Sequence, residues 1–84
     1  MAAWNEIDGH HLERTFTFPD FASALAFVNR VGEVAESMDH HPEVQLAWGK
    51  VTLRIWTHTI DGLSDLDHEF AARVDRVAGE GDAG

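Results

Sequence analysis

The apolar residues of this chain change their spacing at Pro42, and no single kind of secondary structure satisfies both halves. Before it, Phe21, Ala24, Leu25, Val28, Val31 and Ala35 recur at the intervals of one helical face, and Phe27, Val34 and Met38 widen the stripe. Pro19-Asp20 sets the start of this helix, with Asp20 placed as its cap. At ~1.5 Å per residue the segment runs roughly 27 Å, enough to cross a small sheet. After Pro42 the period becomes two: Val44, Leu46 and Trp48, then Val51, Leu53 and Ile55, alternate with polar residues.

The alternating half predicts a hairpin. Gly49-Lys50 reads as its two-residue turn, with Gly49 supplying the positive φ of a type II′ turn. In that register residues whose numbers sum to 99 face each other: Trp48 with Val51, Leu46 with Leu53 and Val44 with Ile55 on the apolar face. The polar face then carries Ala47 with Thr52, Gln45 with Arg54, Glu43 with Trp56 and, by extrapolation, His41 with His58. Directly opposed Cβ atoms lie roughly 4.5–5.5 Å apart, so the two imidazoles are expected to be neighbours.

Two earlier strands, Trp4 to Ile7 and Leu12 to Phe18, are expected around the turn signal Asp8-Gly9. Leu12, Phe16 and Phe18 share a face that Arg14 interrupts. A last helix runs from about Asp65 to Ala78 behind Leu66, Phe70, Val74 and Val77. The order β-β-α-β-β-α implies an α+β, two-layer fold: a four-stranded antiparallel sheet with the helices on one face. Residues 1–78 form one domain in this reading, and the small, polar residues 79–84 form a flexible tail.

Composition narrows the function classes. Eighty-four residues bury only roughly 60–65% of the unfolded surface, so pockets are expected to be shallow or completed by a second subunit. There is no cysteine, which removes disulfides and thiolate metal sites and fits a reducing cytosol. No apolar run approaches membrane length, and a soluble, unexported, cytoplasmic protein without membrane contact is expected. The net charge is −9, and protonating all six histidines brings it only to −3, which argues against direct nucleic-acid binding.

Chemistry gathers at His40-His41-Pro42 and His58. Imidazole is the side chain best suited to proton transfer near neutral pH. The plainer alternative is a solvated group of histidines at one end of the sheet. A shared metal ion is disfavoured because adjacent residues of an extended segment point in opposite directions, and no His-x-x-x-His lies on either helix. His10, His11 and His68 read as exposed or structural. Ser64-x-x-Asp67 resembles a capping box, and Asp67 could also hold an imidazole such as His58. Trp4 and Trp56 could line a flat pocket or form a subunit interface.

The blocks Glu36-Ser-Met-Asp-His40-His41-Pro42-Glu43, Thr57-His58 and Gly62-Leu63-Ser64-x-x-Asp67 resemble the pterin-4a-carbinolamine dehydratases. Trp4-Asn5-Glu6 and Phe16-x-Phe18-x-Asp20-Phe21 are similar to that family too, so the likeness runs from about Trp4 to Ala78. It implies the same element order and the loss of water from 4a-hydroxytetrahydropterin to give quinonoid dihydropterin, in recycling the cofactor of aromatic amino acid hydroxylases. It implies His40 and His58 as acid and base, His41 holding the pterin, and Asp67 orienting an imidazole. Glu36, Pro42, Glu43, Trp56 and Thr57 would shape the substrate site. No metal and no cofactor is implied. A homodimer or homotetramer is, and animal members also bind a homeodomain transcription factor. A non-catalytic module of the same fold, acting through protein contacts, is the alternative. Three departures stand out: many relatives carry a helix before the Trp4 segment, an aromatic often replaces Val44, and smaller residues are common at Trp56.

Overall fold

The computed structural model of the chain describes the backbone of residues 4–83 and the side chains of residues 4–79. Its elements are β1 (Asn5–Ile7), β2 (His11–Thr17), α1 (Phe21–Met38), β3 (Glu43–Ala47), β4 (Lys50–Ile55) and α2 (Asp65–Ala83). The strands form one antiparallel sheet in the order β1-β2-β4-β3. Leu12 and Phe16 of β2, Val51, Leu53 and Ile55 of β4, Ala24, Phe27, Val31 and Ala35 of α1, and Phe70, Ala71 and Val74 of α2 are buried in one core. Both helices therefore lie on one sheet face, and the two-layer α+β arrangement is the expected one.

Each helix is turned slightly from the expected stripe. Phe21 and Leu25 of α1 and Leu66 of α2 stay exposed, while Phe27 and Ala71 take buried positions. On α2 the buried stripe begins with Asp67, a carboxylate where an apolar residue is usual. α2 continues five residues beyond Ala78, so residues 79–83 are helical backbone where a tail was expected; Gly84 lies outside the described residues. No Pro follows Gly79, and a helix already nucleated gains one hydrogen bond per added residue. No helix among the described residues is long and apolar enough to cross a membrane.

The β3–β4 register differs from the expected one by two residues. The observed pairs, from Glu43 with Arg54 to Ala47 with Lys50, sum to 97, so Trp48-Gly49 forms the turn. Gly49 is not in the left-handed region; it is needed for room. A Cβ there would meet the Phe18 carbonyl oxygen at 2.8 Å, and the Phe18 N–H donates to the Gly49 carbonyl at 2.8 Å. This contact clamps the hairpin tip to the end of β2 and explains why the turn forms one residue earlier. Val44 and Leu46 now face Leu53 and Val51, and Glu43 faces Arg54, so side chains keep their faces but change partners. His41 is not brought opposite His58.

The Asp20 cap is present. Its backbone is extended, and its carboxylate accepts from the Ser23 N–H at 2.7 Å. That backbone hydrogen bond, followed by the Ser23 side chain, holds the Asp20 pKa below its usual 3.8. A carboxyl whose folded pKa is depressed stabilises the fold above its unfolded pKa and loses that effect as pH falls through the folded value. Asp20→Ala is therefore expected to lower Tm by about 5 °C at neutral pH. The gap from the wild type should close as pH falls below 3.8. Thermal unfolding across a pH series checks this, and a gap that stays constant into acid would remove the carboxylate from the explanation.

Candidate active site at one end of the sheet

The end of α1, the start of β3, the end of β4 and the start of α2 meet at one end of the sheet. α1 closes in a Schellman arrangement: the Asp39 N–H donates to Glu36 C=O at 3.3 Å, and the His40 N–H to Ala35 C=O at 3.0 Å. Asp39 occupies the left-handed position usually given to Gly, with φ 51°. The chain is thereby reversed, and the His40 side chain is carried inward under the helices.

His40 is 9% exposed, and its Nε2 lies 2.6 Å from Oδ1 of Asp67, which is fully buried. The second carboxylate oxygen accepts from the Thr57 hydroxyl at 2.8 Å and from the Ser64 N–H at 2.9 Å. Thr57 spends its one hydroxyl proton on Asp67, so the Ser64 hydroxyl, 2.6 Å away, donates to Thr57 Oγ1. Every partner of the buried carboxylate is thus a donor, and a carboxylate in this setting fixes the proton of His40 on Nε2. Nδ1 makes no hydrogen bond among the described residues and could accept or donate a proton. The His40 ring also meets Phe70 edge-on, with centroids 6.5 Å apart.

Asp67 serves two structural ends at once. Its bond to the Ser64 N–H is one half of the capping box expected of Ser64-x-x-Asp67. The other half is missing because the Ser64 hydroxyl turns to Thr57. The imidazole it holds is that of His40, where His58 had been considered, because Thr57 and not His58 points from the end of β4 towards α2.

The remaining histidines sit outside this buried group. His41 is exposed, with its Nε2 on the Glu36 carboxylate one turn back on α1. His58 opens a four-residue loop, 58–61, closed by the paired Thr57 and Gly62, with Asp61 left-handed at φ 49°. Its ring stacks on Trp56 at 4.5 Å, nearly parallel at 8°. Among the described residues no hydrogen bond or ring contact joins His41 to His58. What links the two segments is Asp67, bonded to His40 on one side and to Thr57 on the other.

The expected binding residues divide in the same way. Glu36 holds His41, Pro42 is half-buried beside it, and Glu43 faces Arg54, with a carboxylate–guanidinium separation of 3.9 Å. Trp56 lies on the sheet face away from the helices, since its neighbour Ile55 is buried beneath them. Trp4 is on the opposite side: its Nε1–H donates to Asp75 of α2 at 2.8 Å and its ring meets Phe16 edge-on. The two tryptophans therefore share no pocket. Ser64, expected only as a capping residue, and Thr57, expected only to shape the substrate site, both complete the Asp67 environment. His10 and His11, expected to be exposed or structural, gather with His58 around Trp56, their centroids 5.1 and 5.9 Å from the indole. His11 could have been placed there, since the β2–β4 register carried one step further puts it opposite Trp56.

Comparison with known proteins agrees with this architecture. A relative from Rubrobacter xylanophilus, provisionally named a pterin-4-alpha-carbinolamine dehydratase, is 49% identical over 77 residues, covering 92% of this chain and 72% of that one. A relative of the same provisional name from Chlorobium limicola is 58% identical over 63 residues, covering 75% and 56%. Among solved structures, a transcriptional coactivator/pterin dehydratase from Brucella melitensis superposes with a TM-score of 0.83 at 34% identity, covering 89% of this chain and 81% of that one. A pterin dehydratase-like protein identified as a RuBisCO assembly factor in the alpha-carboxysome superposes with a TM-score of 0.78 at 26% identity, covering 92% and 90%. The model for the family described as pterin 4 alpha carbinolamine dehydratase matches residues 1–77, and the chain belongs to that family.

Proposed function

We propose that this protein dehydrates 4a-hydroxytetrahydrobiopterin to quinonoid dihydropterin by histidine acid–base catalysis, in recycling a pterin cofactor. The observation that carries the reading is the buried His40, its Nε2 2.6 Å from the buried Asp67, which also binds Thr57, the neighbour of the exposed His58. The reaction needs a proton delivered to the departing 4a-hydroxyl and a proton removed from a ring N–H as the new double bond forms. Water leaves, and the enzyme ends with the protons it began with. His40 Nδ1 and His58 are assigned the two transfers, and His41, steadied by Glu36, holds the pterin. Pro42, Glu43, Thr57 and Trp56 shape the approach, with Trp56 offering an aromatic face. Such proton transfer typically contributes about 10²–10⁴-fold. The chain is proposed to act as a homodimer or homotetramer in the cytoplasm, without membrane or direct nucleic-acid contact.

A second reading is a non-catalytic module working through protein contacts, and the superposition on a RuBisCO assembly factor favours keeping it in view. Stopped-flow measurement of 4a-hydroxytetrahydrobiopterin dehydration separates the two. The wild type should exceed the uncatalysed rate, and His58→Ala, an exposed position, should lose about 10²-fold or more with thermal stability unchanged. A wild-type rate equal to background leaves only the protein-contact reading.

A further inference from the structure

Adjacent residues of a strand point to opposite faces, but that alternation lapses where β1 turns into β2. Asp8 and Gly9 both take positive φ, 54° and 67°, and the His10 N–H donates to the Ile7 carbonyl at 2.8 Å, as in a type I′ turn. The ladder resumes with Ile7 opposite His11, so His10 is an extra residue between turn and strand. Both imidazoles consequently turn the same way. Their Nδ1 atoms are 3.0 Å apart, with ring planes at 83°. The far nitrogen of His10, Nε2, lies 2.7 Å from Oδ1 of Asp61, whose left-handed backbone ends the 58–61 loop.

These contacts set the protons. Asp61 can only accept, so the His10 proton is on Nε2 and its Nδ1 presents a lone pair towards His11 Nδ1. A single proton can bridge two such nitrogens, and so can a metal ion. Two imidazole nitrogens 3.0 Å apart, each ~2.0–2.1 Å from a shared ion, subtend about 94° at it. That is close to the right angle of tetragonal coordination and well short of a tetrahedral angle, a geometry that suits Cu2+ or Ni2+. Copper forms the tighter complex of the two with nitrogen ligands. A carboxylate on the remaining N–H of a ligating histidine fixes ring and tautomer, and removing one typically costs 10–100-fold in metal affinity. The chain's net charge of −9 further favours a cation.

We propose that His10 and His11 chelate one Cu2+ through their Nδ1 atoms, with Asp61 as the positioning residue; the proton between the two nitrogens moves to His11 Nε2 or to solvent as the ion binds. Among the described residues no group of three or more His, Cys, Asp or Glu side chains is placed to hold a metal, so water or a small external donor completes the coordination. The site does not involve the His40–Asp67 pair but lies beside Trp56 and His58, and metal binding is read without reference to the proposed dehydration. Trp56, beside both rings, reports on it.

The test is titration of the full chain with Cu2+ buffered by glycine, followed by calorimetry, tryptophan fluorescence and electron paramagnetic resonance. One Cu2+ per chain should bind, quench fluorescence reversibly on addition of EDTA, and show coupling to two imidazole nitrogens. His10→Ala and His11→Ala should each weaken binding at least about 10-fold, and Asp61→Asn about 10–100-fold. His68→Ala, on the exposed side of α2, should bind as the wild type does. The Asp61 side chain is 85% exposed, so Asp61→Asn folds even if a histidine variant does not. Binding that is undiminished in His10→Ala, His11→Ala and Asp61→Asn overturns the proposal. So does a dissociation constant weaker than about 100 µM for the wild type, which corresponds to less than about 5.5 kcal/mol.

Discussion

On the proposed reaction, His40→Gln is expected to slow the dehydration of 4a-hydroxytetrahydrobiopterin by about 10²–10⁴-fold, with Tm within a few degrees of the wild type. Glutamine is chosen because its amide N–H can reach Asp67 from near the position of His40 Nε2, so the buried carboxylate keeps a donor. What it lacks is a group able to take up and release a proton at the place of Nδ1. The loss should appear in kcat, since the interaction removed acts in the transition state and not in ground-state binding. A variant within threefold of the wild-type kcat would take His40 out of the proton-transfer chemistry. With Tm measured alongside, a loss of rate in a variant that stays folded cannot be put down to unfolding.

Asp67→Ala has the largest expected effect on stability, about 3–5 kcal/mol, and in a domain of this size that is a large share of the total. The carboxylate is fully buried and receives three hydrogen bonds, from His40, Thr57 and Ser64. Truncation leaves all three donors without an acceptor, and each buried unsatisfied group costs about 1–3 kcal/mol. Asp67→Asn separates this from the catalytic part. Its amide oxygen can still accept from Thr57 and Ser64, but its NH2 group then faces His40 and requires a lone pair on Nε2. The His40 proton moves to Nδ1, the wrong place for a base. Urea denaturation should therefore find Asp67→Asn much closer to the wild type than Asp67→Ala, while its dehydration rate falls with that of His40→Gln. Equal stabilities for the Ala and Asn variants would show that the carboxylate's hydrogen bonds do not hold this end of the sheet.

The sequence made the layers legible and left the cross-strand partners open, for one physical reason. Alternation identifies which face a residue occupies, and a slip of two residues preserves every face. Val44, Leu46, Val51 and Leu53 are equally well explained by the expected and the observed registers. The choice between them rests on the room Gly49 leaves for the Phe18 carbonyl, a contact with the next strand that no local pattern records. His41 and His58 were paired by carrying that register beyond the strand ends, where Pro42 and the 58–61 loop have already broken it. Asp67 was readable as a capping residue from Ser64-x-x-Asp67. Its burial was also within reach, since it precedes Phe70, Ala71 and Val74 on one helical stripe. His10 and His11 read as exposed or structural, and the turn at Asp8-Gly9, which lets both rings turn the same way, lies outside what strand periodicity records.

The double duty of Asp67 bears on how members of such a family come to differ. A residue that caps a helix, satisfies a threonine and anchors a buried imidazole cannot drift when an activity is abandoned, because the domain would loosen with it. His41 and His58 carry no such obligation: both are exposed, and the stability of the core does not depend on them. Chains that have given up the reaction should therefore keep Asp67 and His40 as relics of architecture and lose the two exposed histidines first. In such a family His41 and His58, the residues folding could spare, are therefore the positions that separate a catalytic member from a member that keeps only the fold.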